Sequence, residues 1–441
     1  MAILGRRKYR LKIIVSMVVM GGWVWYIIGN TMLLGSGGSG NNLAGEQIID
    51  RNKQYQNVYA EHKAFGHSIP LTYIKRKVRL QDQCKSMSTK PGLYSEDLIR
   101  QHLLVDRGRK LVFCGVEKVG LTFWRRFFSI LKDPNKSSPY NIRAFNAYIP
   151  GSVDTLYNVT PQEYSHVMSS SLTVMFSRNP YERLYSAYVD KFMFPNINFW
   201  IKYGTGIIRK FRKLPKFRSL RCGVDVTFSE FIKYIINLSQ GLEIIDSHFV
   251  TITEHCRPCD IRYDVIGKMA TFYNDTMFLI KTIGHTKMFD ELRDKFFDAY
   301  VTDQLTHSVE QLFFNKNELV KVHKCVPDFF TAQRRMWRSL QLRGLINIET
   351  SYPINRSESN DVSPERLLHI LLQTRKHPVP RVQKKDAMLD AYSSVDFEDL
   401  HKLQDVLAQD CVLLDYDCSP PGIFNYSRQR KDRNWFFDFV D

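Results

Sequence analysis

The stretch Leu111-Val-Phe-Cys-Gly-Val-Glu-Lys-Val-Gly-Leu-Thr122 decides how the surrounding domain folds. Its first four residues are an apolar run, a glycine-containing turn follows, and Phe123 to Leu131 repeat apolar side chains at helical spacing. The stretch therefore predicts a strand, a loop and a helix in succession. Such a loop presents backbone N–H groups and a helix N-terminus, which together favour binding of a phosphate-like anion.

This loop differs from the nucleoside-triphosphate loop G-x-x-x-x-G-K-[ST] at the position that matters most. Leu121 occupies the place of the lysine, and Lys118 lies earlier, inside the loop. A nucleoside triphosphatase would lack its contact with the β- and γ-phosphates, so this class is disfavoured. On the loop alone, a structural strand-to-helix turn is an equal alternative.

A second unit of the same kind begins at Leu172-Thr-Val-Met-Phe176, a run typical of a β-strand. Arg178 follows the strand, and Tyr181 to Phe192 predict a helix with a proline near its first turn. Ser186 lies in that helix, so a guanidinium and a hydroxyl are available to hold one phosphate together. A surface arginine and an unrelated serine on the helix face are the alternative for either residue alone.

Further along the chain, periodicity and capping signals predict a small set of elements. They are a helix from Thr227 to Leu238 with a Thr227–Glu230 capping box, a strand from Met277 to Ile280, a loop from Ser351 to Pro364 and a helix from Phe397 to Leu414. Because strands alternate with helices, the sequence predicts an α/β fold with a central, mainly parallel sheet flanked by helices.

The N-terminus predicts a membrane anchor. Ile13 to Leu34 contain no charged residue and follow a cluster of basic residues, so the segment is long enough to span a bilayer with the N-terminus in the cytoplasm. A cleaved signal peptide is the alternative, but no A-x-A-like site follows. We therefore expect a cytoplasmic tail at 1–12, a transmembrane helix at 13–34, a luminal stem at 35–105 and a catalytic domain at 106–441.

Composition agrees with a luminal body. The chain has eight cysteines, an even number that is compatible with disulfides, although their connectivity stays open. Cys256-x-x-Cys259 lacks the second pair that a zinc site would need, so disulfides are the better interpretation. The formal charge of +17 attracts anionic partners. Nucleic acid is disfavoured among them, because a luminal domain meets little of it.

Several segments resemble one known family. Cys114-Gly-Val-Glu-Lys-Val-Gly-Leu-Thr-Phe-Trp124 resembles C-x-V-P-K-V-[AG]-[CS]-[ST]-x-W, and Arg178 to Phe192 follow R-x-P-[FY]-E-R-L-x-S-A-Y-x-x-K-F at every fixed position. Val226 to Phe231 and His248 to Lys268 resemble later motifs in the same order. The family is that of the Golgi carbohydrate sulfotransferases, in particular the chondroitin and dermatan 4-O-sulfotransferases and the natural-killer-epitope glucuronyl 3-O-sulfotransferase.

The resemblance implies a P-loop-like sulfotransferase fold in the Golgi membrane, with 3′-phosphoadenosine 5′-phosphosulfate (PAPS) as donor and a sugar hydroxyl, expected on a chondroitin- or dermatan-type glycosaminoglycan, as acceptor. Lys118 would stabilise charge on the 5′-phosphate side, and His248 would act as the general base. The implied donor contacts are Lys118, Val119, Gly120, Leu121 and Thr122 on the 5′ side, and Arg178 and Ser186 on the 3′ side. No metal is expected, because lysine and amides supply the positive field.

Basic residues with no intervening acid follow the second motif. The candidate acceptor-binding residues among them are Lys202, Arg209, Lys210, Arg212 and Lys213. Their position after the predicted 3′-phosphate helix predicts a groove for a polyanionic glycan, with an ordinary solvated face as the alternative.

The sequence departs from the family pattern at two places. Glu117 stands where the family has proline, and Leu121 where it has a small or hydroxyl residue. A carboxylate beside a phosphosulfate site repels the donor unless it points away. Two alternatives therefore stay open: a catalytically weakened, glycan-binding homologue, and a sulfotransferase that acts on glycoprotein or glycolipid termini.

Overall fold

The structure, a computed structural model, describes residues 69–87, 92–133 and 138–425. The predicted cytoplasmic tail, the predicted membrane segment at 13–34 and the first part of the predicted stem lie outside the described residues. Within the described ranges, no helix combines the length and the apolar character needed to cross a bilayer.

The described residues form a five-stranded sheet with the strand order β3-β1-β2-β4-β5. The strands are β1 (Leu103–Asp106), β2 (Leu111–Cys114), β3 (Asp154–Thr155), β4 (Leu172–Ser177) and β5 (Val265–Lys268). Strands β2, β4 and β5 are parallel, whereas β1 is antiparallel to both β2 and β3. The α/β class is confirmed, but the expectation of a mainly parallel sheet is wrong. The sheet is mixed because a tight turn joins β1 to β2, and so short a connection permits only antiparallel pairing.

Helices surround this sheet. In chain order they are α1 (Leu71–Ser86), α2 (Glu96–His102), α3 (Leu121–Lys132), α4 (Pro161–Ser170), α5 (Pro180–Tyr188), α6 (Ile197–Phe199), α7 (Thr205–Phe211), α8 (Phe217–Cys222), α9 (Phe228–Ser239), α10 (Ile252–Cys256), α11 (Phe272–Thr282), α12 (Thr286–Arg293), α13 (Phe296–Phe314), α14 (Phe329–Leu342), α15 (Pro364–Thr374), α16 (Gln383–Ser393) and α17 (Phe397–Leu414). Turns of π-helix occupy Val189–Met193, Trp200–Gly204 and Glu318–Val322.

Most predicted elements are present. The predicted helix at 123–131 lies within α3, and Phe397–Leu414 is α17 as expected. The capping box of α9 forms, because the Glu230 N–H donates to Thr227 Oγ1 at 3.2 Å and the Thr227 N–H donates to Glu230 Oε2 at 2.9 Å. The predicted strand at Met277–Ile280 is wrong, since this run lies inside α11. A short apolar run has the same pattern in a buried strand and in a buried helix segment.

The first described helix is part of the folded domain. Arg76 Nη1 of α1 pairs with Asp275 Oδ2 of α11 at 2.9 Å, and the buried Lys77 pairs with Asp264 at 3.1 Å. The domain boundary expected at residue 106 falls on the last residue of β1, so the described part of the predicted stem packs as helices and a strand of the domain.

Three disulfides join segments that are distant in sequence. They are Cys84–Cys259, Cys114–Cys256 and Cys222–Cys325. The two cysteines of the C-x-x-C pair therefore bond to different partners, which confirms the disulfide interpretation over a zinc site at this pair. Cys411 and Cys418 carry free thiols within the described part of the chain.

Candidate active site

A cavity of about 410 Å³ lies at the carboxyl ends of β2 and β4. Ligands of open α/β sheets bind at this edge, because the loops that follow the strands meet there. The predicted donor and catalytic residues that line the cavity are Lys118, Gly120, Leu121, Thr122, Arg178, Ser186 and His248. The side chain of Val119 is instead fully buried in the core, so only its backbone is available to a ligand.

The loop between β2 and α3 owes its shape to left-handed backbone conformations. Gly120, the N-cap of α3, has a φ of +86°, and a Cβ there would lie 2.8 Å from the ring of Phe272. Lys118 has a φ of 68°. The two bends lead the chain directly into α3, whose N-terminus therefore lies at the cavity with its unpaired N–H groups.

The ammonium group of Lys118 is held at the cavity by a carboxylate. Lys118 Nζ lies 2.8 Å from Asp190 Oδ2, and the side chain is only 19% exposed. Burial lowers the pKa of Lys118 to about 8, although Asp190 raises it. Asp190 also pairs with Lys191 at 3.2 Å, and both lie on the π-helical turn Val189–Met193 that extends α5. Lys118 is therefore mainly cationic at neutral pH and loses its proton just above it.

Arg178 links the two predicted motifs. Its Nη1 donates to the carbonyl oxygen of Lys118 at 2.9 Å, and its Nε lies 3.7 Å from Glu182 Oε2. Pro180 at the start of α5 and the side chain of Asn179, which accepts from the first backbone N–H groups, fix where this helix begins. We call the loop between β2 and α3, residues 115–120, the donor loop. Arg178 therefore stabilises the donor loop through the Lys118 carbonyl oxygen and also lines the cavity.

His248 is oriented by a carboxylate. Its Nδ1 lies 2.8 Å from Asp246 Oδ1, and the other oxygen of Asp246 accepts from the Tyr203 hydroxyl at 2.9 Å. Burial raises the pKa of Asp246, but the hydrogen bonds from His248 outweigh this effect and hold it at about 2. Burial, followed by the charge of Lys191, lowers the pKa of His248 below its ordinary value. The imidazole is therefore neutral, with its proton on Nδ1 and a basic lone pair on Nε2.

Glu117 belongs to the loop between β2 and α3. Its Oε2 is 3.7 Å from His255 Nε2, and the Glu117 carbonyl oxygen accepts from Arg183 Nε at 2.9 Å. Although burial raises it, the neighbouring His255, His248 and His102 lower the pKa of Glu117. Glu117 is therefore ionised, and it both contacts the histidines and lines the cavity.

The fold divides the predicted acceptor-binding run. Arg212 pairs with Asp225 and with Glu230 at 2.7 Å each, and Lys210 pairs with Glu243 at 2.6 Å. These two basic residues neutralise carboxylates of their own domain. Lys202, Arg209 and Lys213 are exposed, and none of the five predicted residues lines the cavity.

Two basic residues at the cavity were missed by the sequence reasoning. Lys384 of α16 and Arg343, which follows α14, both line it. Desolvation of the amine, followed by the charge of Arg178, lowers the pKa of Lys384 to about 8, although the residue as a whole is exposed. Both come from a region without motif resemblance, so no local signal marked them.

Together these features define a class of protein. The cavity lies at the carboxyl edge of parallel strands, a helix N-terminus opens onto it, and basic side chains outnumber acidic ones among its lining residues. This is the arrangement of an α/β protein that binds a phosphorylated nucleotide.

Comparison with known proteins narrows the class. The sulfotransferase family matches residues 101–325, about half of the chain. Carbohydrate sulfotransferase 11 of Rattus norvegicus is 33% identical over 253 residues, which cover 53% of this chain and 72% of the relative. The Danio rerio protein of the same name is 29% identical over 297 residues (63% and 83%), and carbohydrate sulfotransferase 9 of Homo sapiens is 30% identical over 242 residues (54% and 53%). No solved structure matches the chain.

The chain therefore belongs to the sulfotransferase family, among the carbohydrate sulfotransferases. The resemblance seen in the sequence motifs is confirmed, and so is the prediction of a PAPS-dependent enzyme of this family.

Proposed function

We propose that this protein transfers the sulfuryl group of PAPS to a sugar hydroxyl of a chondroitin- or dermatan-type glycosaminoglycan in the Golgi lumen. The observation that carries the proposal is that a single cavity brings together Lys118, Arg178, Ser186 and His248 from separate segments of the chain. The names of the relatives, which are carbohydrate sulfotransferases, support a carbohydrate acceptor.

In the proposed complex, the two ends of PAPS bind to different motifs. The backbone amides of residues 118–122 and the Thr122 hydroxyl, which lies 2.9 Å from the Tyr148 hydroxyl, bind the 5′-phosphate. Arg178 and Ser186 bind the 3′-phosphate, and Lys384 is a third candidate, since it lies beside Arg178 at the cavity.

The transfer breaks one S–O bond and forms another. The acceptor oxygen attacks sulfur, the bridging bond breaks, and its electron pair leaves with adenosine 3′,5′-bisphosphate. His248 Nε2 takes the proton of the acceptor hydroxyl. The hydrogen bond from Nδ1 to Asp246 keeps the other proton on Nδ1 and leaves the Nε2 lone pair free for this role. Lys118 stabilises the negative charge that develops on the leaving oxygen.

The proposed location and membrane topology rest on the N-terminal sequence and on the disulfides. We propose a single-pass type II anchor at 13–34, with the catalytic domain in the Golgi lumen. The three disulfides support an oxidising compartment.

Replacing Arg178 by alanine should remove recognition of the 3′-phosphate. We expect the Kd of adenosine 3′,5′-bisphosphate to rise by about 10- to 100-fold, which is the effect of losing charge-assisted hydrogen bonds to a phosphate. Calorimetry with the full-length chain measures this change.

Arg178 also donates to the Lys118 carbonyl oxygen, so its replacement could act through the donor loop alone. Measuring the affinity for adenosine 5′-monophosphate as well distinguishes this effect from recognition of the 3′-phosphate. If Arg178 binds the 3′-phosphate, the variant loses the preference for the bisphosphate over the monophosphate. If both affinities fall equally, Arg178 acts only on the loop and the assignment is wrong.

An acceptor panel with radiolabelled PAPS tests the proposed function. We expect the full-length chain to label chondroitin and dermatan in preference to glycoprotein or glycolipid termini. The triple variant Lys202→Ala/Arg209→Ala/Lys213→Ala should raise the KM for the polymer about tenfold, because exposed cations concentrate a polyanion, and leave the KM for PAPS unchanged.

Other outcomes of the panel decide against the proposal. Label that enters only glycoprotein or glycolipid termini would show that the acceptor class is wrong. A folded chain that binds the polymer but transfers no label would favour the non-catalytic, glycan-binding alternative.

A further inference from the structure

Glu117 of the donor loop belongs to a cluster of potential metal ligands that the proposed transfer reaction does not use. His102, Glu117 and His255 each offer one ligand atom, and these atoms lie within 4.8 Å of one another. The rings of His102 and His255 meet edge to face with centroids 4.7 Å apart. We propose that His102, Glu117 and His255 bind a divalent transition-metal ion, with Zn²⁺ as the best match.

Burial and unmet bonding capacity point to a ligand at this place. The side chain of His255 is fully buried, and its Nδ1 has no hydrogen-bond partner within the described part of the chain. Oε2 of Glu117 is also buried without such a partner there. Leaving a buried polar atom unpaired is costly, so the unpaired Oε2 of Glu117, 3.7 Å from His255 Nε2, indicates a missing partner.

The ligand types suit a metal ion. Two histidines and a glutamate form a ligand set typical of zinc sites with three protein ligands, which leave a further position for water.

The three ligands are held in place by the fold. Glu117 lies shortly after Cys114, His255 directly precedes Cys256, and these two cysteines form a disulfide. The His102 carbonyl oxygen accepts from the Gly115 N–H at 2.8 Å. The segments that carry the ligands are therefore fixed to one another, which reduces the entropy lost when a metal binds.

One distance between ligand atoms of the cluster is close to that of a metal site. A tetrahedral zinc ion with bonds of about 2.1 Å holds its ligand atoms roughly 3.4 Å apart, and Glu117 Oε2 lies 3.7 Å from His255 Nε2. In this structure His255 Nε2 donates its proton to the Ser247 carbonyl oxygen at 2.8 Å, so metal binding at Nε2 requires that proton to move to the unpaired Nδ1. That oxygen accepts from Arg183 Nη2 at 3.2 Å as well, so it keeps a partner if the imidazole turns to the metal.

The guanidinium of Arg183 lies beside the cluster, and its positive charge acts on both Glu117 and His255. The guanidinium donates to the carbonyl oxygens of Glu117, Ser247 and Val250. A bound cation would in turn cancel the charge of Glu117, which replaces the proline of the resembled family directly before Lys118. The inference stands independently of the proposed transfer reaction, since it concerns binding alone.

Zinc binding by the metal-stripped full-length chain, measured by competition with a chromophoric chelator, tests the proposal. We expect one zinc ion per chain and a raised Tm when zinc is added. Glu117→Gln, which keeps the shape and removes the charge, should weaken zinc binding by at least about 100-fold, and His102→Asn should weaken it similarly. The Tm of both variants should not respond to zinc.

Cys418→Ser is the matched control, because Cys411 and Cys418 are the free thiols of the described ranges and also attract zinc. Binding that persists in Cys418→Ser and is lost in Glu117→Gln supports the site. Binding that is lost in Cys418→Ser, retained in Glu117→Gln or absent from the wild-type chain overturns the proposal.

Discussion

Lys118→Ala is expected to lower kcat for sulfuryl transfer about 1000-fold, the size of effect seen when a single donor to a developing oxyanion is removed. Lys118 lines the cavity on the loop between β2 and α3, and its ammonium is held there by Asp190 at 2.8 Å. In the proposed mechanism, its charge acts most strongly on the leaving oxygen in the transition state. The Kd of adenosine 3′,5′-bisphosphate should therefore change much less than kcat.

The pH profile tests the same role. Because burial lowers the pKa of Lys118 to about 8, kcat/KM for PAPS should fall as pH rises through 8, where the ammonium loses its proton. In Lys118→Arg, made in a Lys384→Arg background because the pKa of Lys384 is also about 8, this alkaline fall should disappear, since a guanidinium stays charged. The exposed Lys281→Ala is the control and should keep both the rate and the profile. An alkaline fall that persists in Lys118→Arg would assign it to another group.

Local sequence signals predicted the elements that carry the donor loop. β2 and α3 follow directly from an apolar run, a glycine turn and a helical repeat, and the Thr227–Glu230 capping box forms as expected. Such signals depend on residues close together in the chain. For this reason the sequence placed Lys118 in the loop after one strand and Arg178 at the end of another, and the structure brings both to one cavity.

Contacts between distant segments were not predictable in the same way. Arg343, which follows α14, and Lys384 of α16 reach the cavity from late in the chain, and their sequence surroundings carry no motif. The antiparallel edge of the sheet depends on β3, which has only two residues and so shows no periodicity. The carboxylates that pair with Arg212 lie in the segment that follows the basic run. The run alone therefore suggested more unpaired basic side chains than the folded structure has.

His248→Asn should lower kcat by about 1000-fold and leave the Kd of adenosine 3′,5′-bisphosphate nearly unchanged, because a general base acts on the acceptor and not on the donor. Burial lowers the pKa of His248. In the wild-type chain, the rate should therefore rise with pH through a pKa below that of an ordinary histidine and be level at neutral pH. Pre-steady-state measurement of transfer, with binding measured separately, distinguishes the two effects.

Asp246→Asn shows whether His248 works as a base or only fills space. Asp246 raises the pKa of His248 and holds the proton on Nδ1 at 2.8 Å, so its replacement should move the acid limb to lower pH and lower kcat as well. The exposed His166→Asn should behave as wild type. A purely structural His248 would lose donor binding and transfer together in His248→Asn, and the acid limb of Asp246→Asn would stay in place. That pair of results would move the base to another side chain at the cavity, with the ionised Glu117 as the next to test.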